Sequence, residues 1–202
     1  MKQILIVESS PRGVDSASRQ LTGKVRERLR NLYPEAKLVE QDLARDPLPH
    51  LDYPMIKAIF TKDRTEAESL KDVLRLSDQL TEQLLASDLL VIGSPMWNFG
   101  LPSSLKAWID HIVRPGKTFR YAGAGVEGLA QGKKAILVLA SGGVFTGGPW
   151  TSWDTVEPYL RLILGFIGIA DVQTVRAQGV NIPALAPQAV PEGERMIEAL
   201  AL

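Results

Sequence analysis

Three segments of the chain combine ligand-binding residue types with positions directly after apolar runs. The first, Ser9-Ser-Pro-Arg-Gly-Val-Asp-Ser-Ala-Ser18, crowds hydroxyls and free backbone amides just ahead of a helical pattern. Amides at a helix N-terminus, helped by the helix dipole, suit a phosphate dianion. Ser10, Ser16 and Ser18 are the candidate donors. The same residues also read as an ordinary helix cap by Asp15 or Ser16. This loop contains neither GxxxxGK[ST] nor GxGxxG, which favours a monophosphate over a pyrophosphate. The second segment, Ser94-Pro-Met-Trp-Asn-Phe-Gly-Leu-Pro102, gathers two aromatics, a Met and an Asn. Apolar flanks with one or two polar groups match a flat heteroaromatic ligand. Met96, Trp97 and Phe99 would cover its ring, and Asn98 would bond its edge; Trp97 and Phe99 would alternatively plug the sheet end. The third, Ala140-Ser-Gly-Gly-Val-Phe-Thr-Gly-Gly-Pro149, holds four glycines. Glycine lets backbone approach a ligand closely, aiming amides at a ring's carbonyl edge. A mobile loop without a ligand is the competing reading.

Other chemistries lack their residues. With no cysteine there is no thiolate nucleophile, disulfide or Cys-based metal site. The two histidines are His50 and His111. His111 reads as a partly buried helix residue and His50 as solvated, so no metal site is assigned. A hydrolase would need a nucleophile, a base and an orienting group, and no such set assembles. No side chain is therefore named as catalytic.

The elements around these segments alternate. Ile4–Val7, Lys37–Leu43, Leu89–Ile92, Ala135–Leu139 and Ile169–Val175 read as strands, mostly continuous apolar runs of the kind buried on both faces of a parallel sheet. Helical spacing appears in Leu21, Val25, Leu29 and Leu32, then from Glu66 to Leu85, from Leu101 to Ile112, and from Asp154 to Ile167. Arg45–Pro54 reads as an extended connection, Lys117–Gly132 as an irregular excursion, and the tail beyond Gly179 as Pro-rich, ending in a short apolar helix. The order predicts an α/β fold with a five-stranded parallel sheet in the order 2-1-3-4-5 and helices on both faces. Ligands in such sheets sit beyond the carboxyl ends of the strands, near the point where strand order reverses. The three odd loops follow strands 1, 3 and 4.

At 202 residues the chain fits one domain spanning 1–202. Lys plus Arg equals Asp plus Glu at 23 each, which gives no bulk attraction to nucleic acid or an anionic membrane. The run Ile4–Val7 is too short for a signal segment and no stretch is long enough to span a bilayer, so a cytoplasmic protein is expected.

The run SPMWNFGLPSSLKAWIDHIVRPGKTFRY, with SSPRG followed by Ser16-Ala-Ser18, LLVIGSPMWNF, GLxxGKKAILVLASGG and LGFIGIADV, strongly resembles the FMN-dependent NADH-azoreductase family of flavodoxin-like quinone reductases. The resemblance covers nearly the whole chain. It implies a homodimer that binds FMN non-covalently and uses NADH or NADPH to reduce quinones and azo compounds by a ping-pong mechanism. It implies that Ser10, Ser16, Ala17 and Ser18 hold the phosphate. Pro95, Met96, Trp97, Asn98 and Phe99 would line the isoalloxazine, and Ala140, Ser141, Gly142 and Gly143 would meet its pyrimidine edge. Phe119 and Tyr121 would fall on a partner-facing loop that helps close the acceptor site. The family often has Tyr in place of Trp97 and Ser-Arg in place of Ala140-Ser141. Two other readings share the fold: an electron carrier with no substrate of its own, and a regulatory protein that has lost its flavin.

Overall fold

The computed structural model describes residues 1–61, 64–123 and 125–202. Its main sheet comprises β1 (Gln3–Glu8), β2 (Lys37–Asp42), β3 (Leu89–Pro95), β6 (Lys134–Ser141) and β7 (Asp171–Gln178), in the order β2-β1-β3-β6-β7 with every pairing parallel. The stretch expected to be irregular supplies the two missing numbers. It contains an antiparallel hairpin, β4 (Phe119–Ala122) with β5 (Gly125–Gly128); position 124 of that stretch lies outside the described residues. The fourth and fifth strands expected in the sheet are thus β6 and β7.

Alternate residues of each central strand feed two separate cores, as the period-2 geometry of a strand requires. Leu5, Val7, Leu90, Ile92, Leu137 and Leu139 point to one layer, with Leu80, Leu84, Trp108, Ile112, Leu160 and Leu164. These come from α4 (Arg75–Ala86), α5 (Ser103–Ile112) and α6 (Val156–Ile167). Ile4, Ile6, Leu89, Val91, Ile136 and Val138 point to the other, against Leu21, Val25, Leu29, Ala189 and Ile197. Those belong to α1 (Ala17–Leu32) and α7 (Ala186–Glu198). Fully burying one such side chain contributes roughly 1.5–3 kcal/mol, so both faces stabilise the sheet.

Three expectations need correction. Arg45–Pro54 is not extended to its end: a helix, α2 (Tyr53–Phe60), starts there. The Asp52 carboxylate accepts the Met55 amide at 2.9 Å, and Pro54 occupies the helix's first turn, where a missing N–H costs nothing. The single helix expected over Glu66–Leu85 is α3 (Arg64–Leu70), a tight 3₁₀ turn at Lys71–Leu74, and α4. Leu70, Val73 and Leu74 are only half-buried, whereas Leu80 and Leu84 are buried, so core packing is concentrated in α4. The terminal helix is neither short nor apolar: α7 has 13 residues with a charged outer face. Gly193 lets it approach α1, since a Cβ there would lie 2.4 Å from Leu21 Cδ1. Among the described residues, no helix is long and apolar enough to cross a membrane.

Candidate functional site

The chain reverses direction across the sheet between β1 and β3. A cavity of about 580 Å³ opens there, at the carboxyl ends of β1, β3 and β6. It is lined by Ser10, Ser16 and Ala17 from the first loop, by Pro95, Met96, Trp97, Asn98 and Phe99 from the loop after β3, and by Ala140, Ser141, Gly142 and Gly143 after β6. Sequence reasoning missed five further lining residues: Arg12, Asp15, Phe145, Val180 and Asn181. The last two follow β7, a strand outside the reversal point, so topology gave no reason to look there.

In the first loop, Ser16 is the cap of α1, its Oγ accepting the Arg19 amide at 3.4 Å. The cap and the ligand-facing position are therefore the same residue. Ser18 differs from expectation. It is fully buried outside the cavity lining, and its Oγ shares a 3.0 Å hydrogen bond with Ser16 Oγ, orienting that hydroxyl from beneath. Arg19 fixes the loop: its Nε donates to the Ser10 carbonyl (2.8 Å) and its two terminal nitrogens grip Asp42 at 2.8 and 2.7 Å. The Arg19 hydrogen bonds hold the Asp42 carboxyl down to about 2. Under the loop, Glu8 is 5% exposed, and burial pushes its carboxyl above the usual range. Among the described residues its Oε2 has no hydrogen-bond partner. Gly93 makes room for it, because a Cβ at Gly93 would lie 2.6 Å from that oxygen.

The loop after β3 is a two-residue hairpin. Trp97 and Gly100 exchange both backbone hydrogen bonds at 2.8 Å, and Asn98 and Phe99 both have positive φ, 48° and 63°. This is the pattern of a type I′ turn, normally filled by Asn-Gly. Phe in the left-handed region costs roughly 1–2 kcal/mol, so the turn spends stability to present a ring at the cavity. The Thr155 hydroxyl clamps the turn by donating to the Phe99 carbonyl.

The glycine-rich loop is held from β7. The amides of Gly179, Val180 and Asn181 donate to the carbonyls of Gly143, Ser141 and Gly142 at 2.9, 3.2 and 3.2 Å. The Gln178 side chain accepts the amides of Phe145 and Thr146. None of these bonds uses the amides of Gly142 or Gly143. The donor set thus grades from charge and hydroxyls at α1, through aromatic faces, to backbone amides, which matches the phosphate, ring and carbonyl edge of a flavin mononucleotide.

Phe119 and Tyr121 lie away from this cavity. Phe119 is buried against Phe166, with ring centroids 4.7 Å apart, and Tyr121 projects 72% exposed from the hairpin. His111 is fully rather than partly buried; its Nε2 donates to the Pro49 carbonyl at 2.9 Å, pinning the Pro-rich connection to α5. His50 is exposed, as expected. Among the described residues no cluster of His, Cys, Asp or Glu is arranged to hold a metal.

Residues 2–200 match the family described as having a flavodoxin-like fold. An FMN-dependent NADH:quinone oxidoreductase of Beijerinckia indica is 62% identical over the full length of both chains. A protein named FMN-dependent NADH:quinone oxidoreductase 3, from Pseudomonas aeruginosa, is 43% identical over 99% of this chain and 93% of its own. The crystal structure of an FMN-dependent NADH-azoreductase from Bacillus anthracis in complex with FMN superposes with a TM-score of 0.84 at 28% identity, covering all of both chains. Fold, cavity and relatives agree: the chain belongs to the flavodoxin-like family that includes the FMN-dependent NADH:quinone oxidoreductases.

Proposed function

We propose that this protein is an FMN-dependent NADH:quinone oxidoreductase that also reduces aromatic azo compounds, with donor and acceptor served in turn in a ping-pong order. The observation that carries the reading is the convergence of all three ligand-type loops on one cavity. When bound, FMN supplies two-electron hydride chemistry that no side chain here offers. Ser10, Ser16 and the first amides of α1 hold its phosphate, with Ser18 orienting the Ser16 hydroxyl and Arg12 adding positive charge. Pro95 to Phe99 cover the ring, and Asn98 meets its polar edge. Ala140, Ser141, Gly142 and Gly143 face the pyrimidine edge, where the loop's unused amides are suitable donors.

Arg12 and Asp15 are the titratable residues lining the cavity, both in the phosphate loop. Among the described residues no lining side chain is placed to protonate the reduced acceptor, so water does so. The reading includes a cytoplasmic homodimer in which Tyr121 helps close the partner's acceptor site, with the buried Phe119 ring packed edge-on behind it. The exposed Tyr121, and Tyr53, Ile56 and Phe60 on α2, support a second copy. Initial rates at several fixed quinone concentrations test the order of reaction. Parallel double-reciprocal lines against NADH are expected; intersecting lines would exclude it.

A further inference from the structure

Resting on that reading, we propose that Trp150 and Trp153 form an aromatic ledge outside the flavin cavity that selects acceptors of two or more fused rings. Four rings close a cycle at the cavity mouth. Phe99 meets Phe145 at 6.3 Å between centroids, Phe145 meets Trp150 at 6.3 Å, Trp150 meets Trp153 at 6.0 Å, and Trp153 returns to Phe99 at 5.6 Å. All four separations lie in the range of favourable ring pairs. Phe99 and Phe145 line the cavity, whereas the two Trp do not. The Trp rings stand nearly parallel, 11° apart, and remain 44% and 49% exposed.

Two half-exposed, near-parallel indoles beside a ligand cavity are costly to leave in water and present broad faces. Their placement is built rather than incidental. Trp150 packs on the glycine loop, where a Cβ at Gly143 would lie 2.9 Å from its Cζ3, so a larger residue there would push the indole aside. Trp153 directly precedes Asp154, whose carboxylate caps α6 through the amides of Val156 and Glu157 and pairs with the buried Arg176. A one-ring quinone is covered by Phe99 and Phe145. Each added fused ring extends the plane past them and needs a face outside, which the ledge supplies.

The test compares kcat/KM for p-benzoquinone and anthraquinone-2-sulfonate in the FMN-loaded wild type, the W150L/W153L double variant and the W150F/W153F double variant. The ledge predicts that W150L/W153L loses about tenfold with the tricyclic acceptor, the worth of one or two ring contacts. Benzoquinone turnover, FMN affinity and melting temperature stay within about twofold or a few degrees, and the Phe variant recovers much of the loss. An equal fall for both quinones would mean that the indoles merely support the loop, and no change for either would mean that the ledge is unused; both overturn the proposal. Should the wild type reduce no quinone, the function reading fails, and the ledge is read by equilibrium binding of anthraquinone-2-sulfonate instead. Weaker binding in W150L/W153L would support the ledge, and equal binding would overturn it.

Discussion

At the scale of single residues, Phe99 carries the clearest trade between stability and function. Deleting a Phe ring ordinarily costs about 3–5 kcal/mol. Here, Phe99→Gly removes two edge contacts, roughly 0.5–1.5 kcal/mol each, but relieves left-handed strain of about 1–2 kcal/mol. Its melting temperature should therefore move by only a few degrees while FMN binding weakens about tenfold, the worth of one ring contact. Phe145→Ala, in the same ring cycle but buried, should show the full ring-deletion cost in thermal unfolding. Glu8 makes a second residue-scale case. Burial raises its folded pKa above the unfolded value, so its contribution is favourable below that unfolded value and is lost as pH rises through the folded one. Glu8→Gln should thus be more stable than wild type at neutral pH, with the gap closing toward about pH 4, as denaturant melts across pH will show.

At the scale of elements, the hairpin is docked by a glycine contact. A Cβ at Gly128 would lie 2.2 Å from the Gly168 nitrogen, where backbone cannot give way as a side chain can. Gly128→Ala should cost about 1–3 kcal/mol or more in chemical denaturation. A cost below about 0.5 kcal/mol would mean the hairpin is not held there. The sheet and its loops were legible because their signals are local. Continuous apolar runs marked β1, β3 and β6, weaker apolar patterns marked β2 and β7, and serine, aromatic and glycine clusters marked the loops that line the cavity. What was illegible depends on tertiary context. The break before α4 leaves the apolar period intact, so periodicity is blind to it. The start of α2 was misread because Pro54 was weighed as a breaker rather than as a first-turn residue behind the Asp52 cap. Ser18 supports the lining rather than joining it, and Asn181 joins it unannounced, because a one-residue step on a helix, or a turn after β7, is invisible in composition.

At the scale of the whole molecule, folding of the Ser9–Ser18 loop is tied to the edge of the sheet through Arg19 and Asp42. The depressed Asp42 pKa means stability that is present above its unfolded value and is lost as pH falls from about 4 toward about 2. Arg19→Lys, which loses the paired grip on Asp42, should flatten that acid limb and loosen FMN binding together. The central claim is that three loops, far apart in sequence, assemble one cavity that holds a flavin and lets NADH reduce it for onward transfer to a quinone. The most direct test follows the visible spectrum of the FMN-loaded protein without oxygen, adding one equivalent of NADH and then one of a quinone. The account predicts that the flavin bands bleach with NADH and return in full with the quinone. A protein that binds FMN but is not bleached would be a carrier, and a protein that binds none in excess FMN would contradict the account at its base.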